Sequence, residues 1–228
     1  MRVPSEDAEL GFEEMDGNPA LLEECLGSPE GLGTLGIAMW AGSDRRPVRD
    51  AAGLRDFLIQ YRDRVLLPVE LPAVRTAFFH TCRYEVRELI AVDEAMGMCA
   101  ELEPFAFASQ AVGRAFLRRL RPLRDLRLLR RYESAVLRGQ AYGWHTLVYG
   151  VVLAIYSLPL RQGLAGYVNQ TVEGFLQTGA ARLGLREREV QPIREALLDC
   201  MPREIQKVCI GGLRCLPEPS EDDASGHH

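Results

Sequence analysis

Between positions 50 and 200 the apolar residues return every three or four places. In DAAGLRDFLIQYRDRVL (50–66), Leu54, Phe57, Leu58, Tyr61 and Val65 fall on one stripe, and Asp50 stands ahead of them as an N-cap. LPAVRTAFFHTCRYEV carries the period on after Pro72. RELIAVDEAMGMC and PFAFASQAVGRAFLRRL repeat it, the second opening at Pro104 in the first-turn position that suits proline. PLRDLRLLRRYESAVL, WHTLVYGVVLAIYSL, PLRQGLAGYVNQTVEGFLQTGAARLGL and REREVQPIREALLDC follow with the same spacing. Few stretches alternate at period two. No Asn-Gly or Asp-Gly pair joins two strand-like runs, since Asp16-Gly17 falls in an acidic stretch. The pattern predicts an all-α protein of about eight to ten helices in one bundle-like domain.

One segment has the length of a membrane span: 141–160 carries no formal charge. It opens on Tyr142-Gly143-Trp144-His145 and closes near Pro159, which leaves an apolar stretch of only ~13 residues. A central helix buried on all sides fits better than a bilayer span, and no membrane partner is expected.

The two ends read differently from the middle. Residues 1–24 hold eight acids and one arginine, and PEPSEDDASGHH closes the chain. Neither composition supplies the apolar surface needed to order alone, so the expected layout is a flexible extension over 1–19, a helical domain over 20–208 and a flexible tail over 209–228. His227 and His228 give at most half of a metal site.

Composition adds exclusions. The 228 residues are 47% hydrophobic and 26% charged, with a net charge of −5. A chain of this size hides ~70% of its unfolded surface, so a core needs no staples. The acidic balance argues against a nucleic-acid partner. Four histidines are too few for a histidine-built metal centre. Six cysteines, at 25, 82, 99, 200, 209 and 215, form no CxxC pair, and with no export signal they predict reduced thiols and a cytoplasmic protein.

No catalytic signature is present: no phosphate loop, HExxH, GxSxG or dinucleotide fingerprint. PEGLGTLG (29–36) has no strand before it and no Lys-Ser/Thr pair after it, and reads as a packing turn. His80, beside Phe78 and Phe79, reads as a core or boundary residue with one hydrogen bond. Of the 27 basic residues only Lys207 is a lysine. Nine of the arginines crowd into 114–138, against two acids, with leucines between them at helical spacing. Two readings stay open. The stretch is either an amphipathic helix pair with a solvated face, or a surface for an acidic protein or a phosphate. Without interleaved aromatics it is no platform for single-stranded nucleic acid.

Four stretches resemble the urease accessory protein F family, together covering most of residues 20–200. RELIAVDEAMGMCAELEPFAFASQAVGRAFLRRL is similar to the family's acidic Leu-Asp helix followed by a Ser-x-x-x-Gly helix, with Ser109 and Gly113 in those places. WHTLVYGVVLAIYSLPL resembles the family's His-x-x-x-x-Gly opening of a central apolar helix, with His145 and Gly150. GYVNQTVEGFLQTGAARLGL supplies Tyr167 and sets Arg182 on the family's arginine, and Gln191 matches the second of two family glutamines. Near the start, Pro29 and Gly31 fit the family's Pro-x-Gly segment. Gly33, Gly36, Ala38 and Trp40 depart from it, and Glu187 stands where a glutamine is expected.

The resemblance implies a non-enzymatic nickel-insertion chaperone without a cofactor of its own. It implies binding to urease accessory protein D, to the GTPase accessory protein G and to apo-urease, as a homodimer, with GTP turnover coupled to nickel delivery. His145 is expected to cap or bridge neighbouring helices. The alternative is an all-α regulator of a different GTPase, acting through an arginine of 114–138.

Overall fold

The computed structural model describes residues 48–120 and 127–211. Within them every regular element is helical: α1 (Ala51–Tyr61), a π-helical stretch (Arg62–Glu70), α2 (Leu71–Cys82), α3 (Val86–Gly97), a 3-10 turn (Ala100–Phe105), α4 (Ala106–Arg119), α5 (Arg127–Leu137), α6 (His145–Ile155), α7 (Leu160–Leu183), α8 (Glu187–Leu198) and α9 (Met201–Ile210). The all-α class expected from the periodicity is what the chain adopts.

Local signals set several boundaries. Asp50 caps α1, its Oδ1 accepting the Gly53 N–H at 2.7 Å. The predicted stripe of Leu54, Phe57, Leu58, Tyr61 and Val65 is buried throughout. Pro68 does not break the helix. It lacks the N–H that would reach one turn back, and the ladder widens locally, with the Leu71 N–H bonded to the Leu66 carbonyl. The chain therefore runs helically from Ala51 to Cys82. α7 ends at Gly184, whose φ of 66° is the left-handed cap that glycine takes without strain.

Two boundaries differ from the sequence reading. Pro104 lies inside the 3-10 turn, and α4 starts two residues later at Ala106. α9 went unread because ten residues offer too few repeats of the period. It buries Met201 and Ile205 and reaches Ile210, two residues into the segment expected as a tail. The acidic stretch 1–24, the Pro29–Trp40 segment, Cys25, Cys215 and the terminal histidines lie outside the described residues.

The core is continuous, and α6 runs through it. All nine residues from His145 to Leu153 are buried, as the charge-free sequence predicted. Among the described residues no helix is long and apolar enough to cross a membrane. α6 packs on α2 and α4, and Gly150 permits the closest approach: a Cβ there would stand 2.3 Å from the Val74 carbonyl oxygen and 2.8 Å from the Ala77 Cβ. Backbone cannot yield as a side chain can. Gly150→Ala is expected to cost ~1–3 kcal/mol by overpacking, read as a lower urea midpoint with an unchanged m-value.

Candidate functional site

Asp93 lies on the apolar stripe of α3 with Val86, Leu89 and Met96, all four buried. A carboxylate there needs partners, and the link before α6 supplies them. Tyr132 of α5 donates its hydroxyl at 2.5 Å, Gly143 donates its backbone N–H at 3.0 Å, and the Tyr142 N–H donates as well. The Trp144 indole N–H reaches the Asp93 backbone carbonyl at 3.2 Å. Burial pushes the carboxyl pKa up, and these hydrogen bonds pull against it.

The link so held meets α4. A Cβ on Gly113 would lie 2.1 Å from the Gly143 carbonyl oxygen and 2.7 Å from the His145 nitrogen, so the backbones touch where only glycine fits. Gly143 itself has φ 74°. One turn back on α4, Ser109 Oγ accepts the His145 N–H at 3.2 Å. The first amide of α6 thus finds its acceptor on another helix, since Trp144 at the N-cap offers none. The Ser-x-x-x-Gly spacing puts both groups on one face of α4, directed at the start of α6.

The His145 ring lies among aromatics of three helices. It stacks on Tyr167 of α7 (centroids 5.9 Å apart, planes at 26°) and meets Phe116 of α4 and Tyr149 of α6 edge-on at 5.8 and 6.1 Å. Its Nδ1 has no hydrogen-bond partner among the described residues. Burial lowers its pKa to about 4, so the ring is neutral at pH 7. The imidazole bridges helices as expected, but it does not cap: the capped group is its own backbone amide.

Beneath it, Tyr167 hydrogen-bonds Thr146 Oγ1 at 3.1 Å and the carboxyl of Glu70. Glu70, 5% exposed, also accepts the Tyr61 hydroxyl at 2.5 Å. Burial raises its pKa to about 7 against those two hydrogen bonds. Ser109, Gly113, His145, Gly150 and Tyr167 therefore converge inside the molecule, on α6 and the helices that hold it.

Arg182 and Gln191 sit elsewhere, exposed on the last turn of α7 and on α8. Gln191 bonds Glu195 at 2.9 Å and Arg194 at 2.5 Å. Arg194 also holds Glu187 at 2.7 Å and Glu173 at 2.5 Å, and its pKa is raised chiefly by the Glu173 hydrogen bond. The glutamate that replaces the expected glutamine at 187 is thus absorbed as an ion pair. Pro29 and Gly31 lie outside the described residues. His80 makes one hydrogen bond, Nδ1 to Glu85 at 2.7 Å. Cys82, Cys99, Cys200 and Cys209 are unpaired, and no three His, Cys, Asp or Glu side chains of the described residues stand together as metal ligands.

Asp93, Glu70 and Tyr132 were missed by the sequence reading. For Asp93 a signal existed, an acid on the apolar stripe of its own helix. Glu70 gave none, because its tyrosine partners come from positions 61 and 167.

Two expectations follow from these buried groups. Replacing Asp93 by Ala leaves a hydroxyl and two backbone N–H groups without an acceptor. Its cost is on the order of 3 kcal/mol, with Asp93→Asn milder, read by denaturation and by the near-ultraviolet signal of Trp144. Glu70 and His145 give opposite pH slopes. The folded Glu70 binds its proton up to about pH 7 and the unfolded one to about 4.5, so its contribution to stability falls as pH rises between those values. His145 titrates near 6.5 unfolded and about 4 folded, so its contribution falls as pH drops through that window. Stability relative to Glu70→Gln should therefore decline by up to ~3 kcal/mol from pH 4.5 to 8, measured by urea titration at each pH.

A family model described as UreF matches residues 48–189, more than half of the chain. No curated protein gives a significant match. The matched span runs from the residue before the α1 cap region to the first turn of α8, and so includes the Asp93 clamp, the Ser109–Gly113 seat and the whole of α6. The chain belongs to the UreF family, the urease accessory protein F family, and with it to the accessory proteins of urease maturation.

Proposed function

We propose that this protein is a nickel-insertion chaperone. It scaffolds urease accessory protein D and the GTPase accessory protein G on apo-urease, as a homodimer in the cytoplasm, and couples GTP turnover to nickel delivery. The segment 20–208 carries that role, with 1–19 and 209–228 outside it. Nickel is cargo passed between partners, and the protein contributes position rather than a chemical step.

The observation that carries this reading is the family match over the helical body, together with the division of the motif residues. Ser109, Gly113, His145, Gly150 and Tyr167 are internal and fix how α2, α4, α6 and α7 meet. A rigid frame of this kind keeps the cost of ordering an interface low when partners bind. Arg182 and Gln191 are exposed at the α7–α8 end and are available for contact. Arginine is among the residues that anchor interfaces most strongly.

Co-purification at moderate salt with the cognate accessory proteins D and G tests the proposal. Both should be retained, and Arg182→Ala should weaken retention about tenfold while the melting transition stays unchanged. Absence of association with either partner would overturn the reading. So would acceleration of an unrelated GTPase that is lost when arginines of 114–138 are replaced.

A further inference from the structure

The α3–α5 side of the molecule has features that neither the fold nor the motif residues require. A groove of about 610 Å³ opens there, walled by Arg87 of α3, by Arg127, Arg130 and Arg131 of α5 and by Arg138 just after it, over an apolar floor that includes Val86 and Ile90. All five arginines are exposed, and none of their guanidinium groups has a hydrogen bond or ion pair among the described residues. Among the described residues no acid lines the groove. Five like charges on one short face repel each other and gain nothing from the fold.

A second groove, of about 310 Å³, lies at the start of α5 and the α2–α3 link, its Leu128 next in the chain to Arg127 of the first and its Tyr84 two positions before Val86. Leu128, Leu129 and Ile155 give it an apolar wall, and Tyr84 and Ser157 stand at its edge. Tyr84 (φ 58°) and Ser157 (φ 54°) are the non-glycine residues of the described chain with positive φ. That conformation is an outlier for an aromatic residue and costs roughly 1 kcal/mol or more. Tyr84 recovers none of this by packing, being 74% exposed. Thr81, 7% exposed, lines the same groove, and its Oγ1 has no hydrogen-bond partner among the described residues. Strain, an exposed aromatic and an unanswered hydroxyl thus meet at one place.

We propose that these two grooves form one docking face for an extended acidic segment of a partner protein. Its carboxylates engage the arginine row, and an apolar or aromatic side chain enters the groove beside Tyr84. Length favours a segment over a small anion. Arg127 and Arg138 are eleven positions apart, about 16 Å along the helix axis, a span that a single phosphate cannot bridge. An extended chain covers it in about five residues. Planar guanidinium forks suit carboxylates, and exposed Tyr beside Arg is the composition of interface anchors. Tyr132, the aromatic within the arginine row, is buried and offers no face for a base to stack on, and this with the acidic net charge of −5 weighs against RNA. This inference goes beyond the accessory reading: it rests on the chemistry of the face and holds for a partner of that chemistry whether or not it serves urease.

Fluorescence anisotropy tests it on the full chain, with a labelled ten-residue peptide of eight glutamates and two leucines as probe. Binding should be saturable and weaken with salt. Arg130→Ala/Arg131→Ala should weaken it about tenfold and Tyr84→Ala about fivefold, with helical circular dichroism unchanged. Arg55→Ala/Arg188→Ala, exposed on α1 and α8, should leave it within twofold. Equal weakening by that control pair, or no saturable binding, would overturn the proposal. So would tighter binding of inorganic tripolyphosphate than of the peptide with no effect of Tyr84→Ala, which would mark a small-anion site. A tenfold gain on converting the eight acids of residues 1–24 to their amides would also overturn it, by assigning the face to the chain's own acidic segment.

Discussion

The carboxylate of Asp93 is the constraint on which the rest of this structure depends. A buried charge without partners costs far more than a helix gains, so the chain brings a hydroxyl and two backbone amides to it. Those amides belong to Tyr142 and Gly143, immediately before α6. Satisfying one acid therefore fixes where the central helix begins. From that start follow the contact of Gly143 with Gly113, the bond from the His145 amide to Ser109, and the depth at which α6 enters the core.

The motif residues then divide by physical role. Small residues at 113 and 150 remove side chains where backbones must touch, and Ser109 supplies an acceptor across a helix boundary. His145 and Tyr167 fill the space between α4, α6 and α7 with stacked rings. None of these needs solvent to do its work. The scaffolding role proposed above would depend on such internal rigidity as much as on the surface, where Arg182 and Gln191 are exposed. Around Arg194, the ion pair with Glu187 shows how a departure from the family pattern can be accommodated without strain.

The sequence by itself determined the helical class, the buried stripe of α1, the Asp50 cap and the burial of α6 from His145 to Leu153. Each is written in local spacing, because an apolar period of 3.6 or a charge-free run has few other ways to leave water. It also marked Ser109, Gly113, His145, Gly150 and Tyr167, which the fold brings together on α6 and the helices that hold it; His145 was expected to cap or bridge, and its ring bridges while its own amide is what is capped. Only the tertiary structure decided that Pro68 would be carried inside a widened helical turn, that ten residues after Cys200 would form α9, and that Glu70 would find tyrosines from positions 61 and 167. Those outcomes depend on contacts between segments far apart in the chain. The energy of a buried acid or a missing amide is settled by what arrives from elsewhere, and no local pattern encodes it.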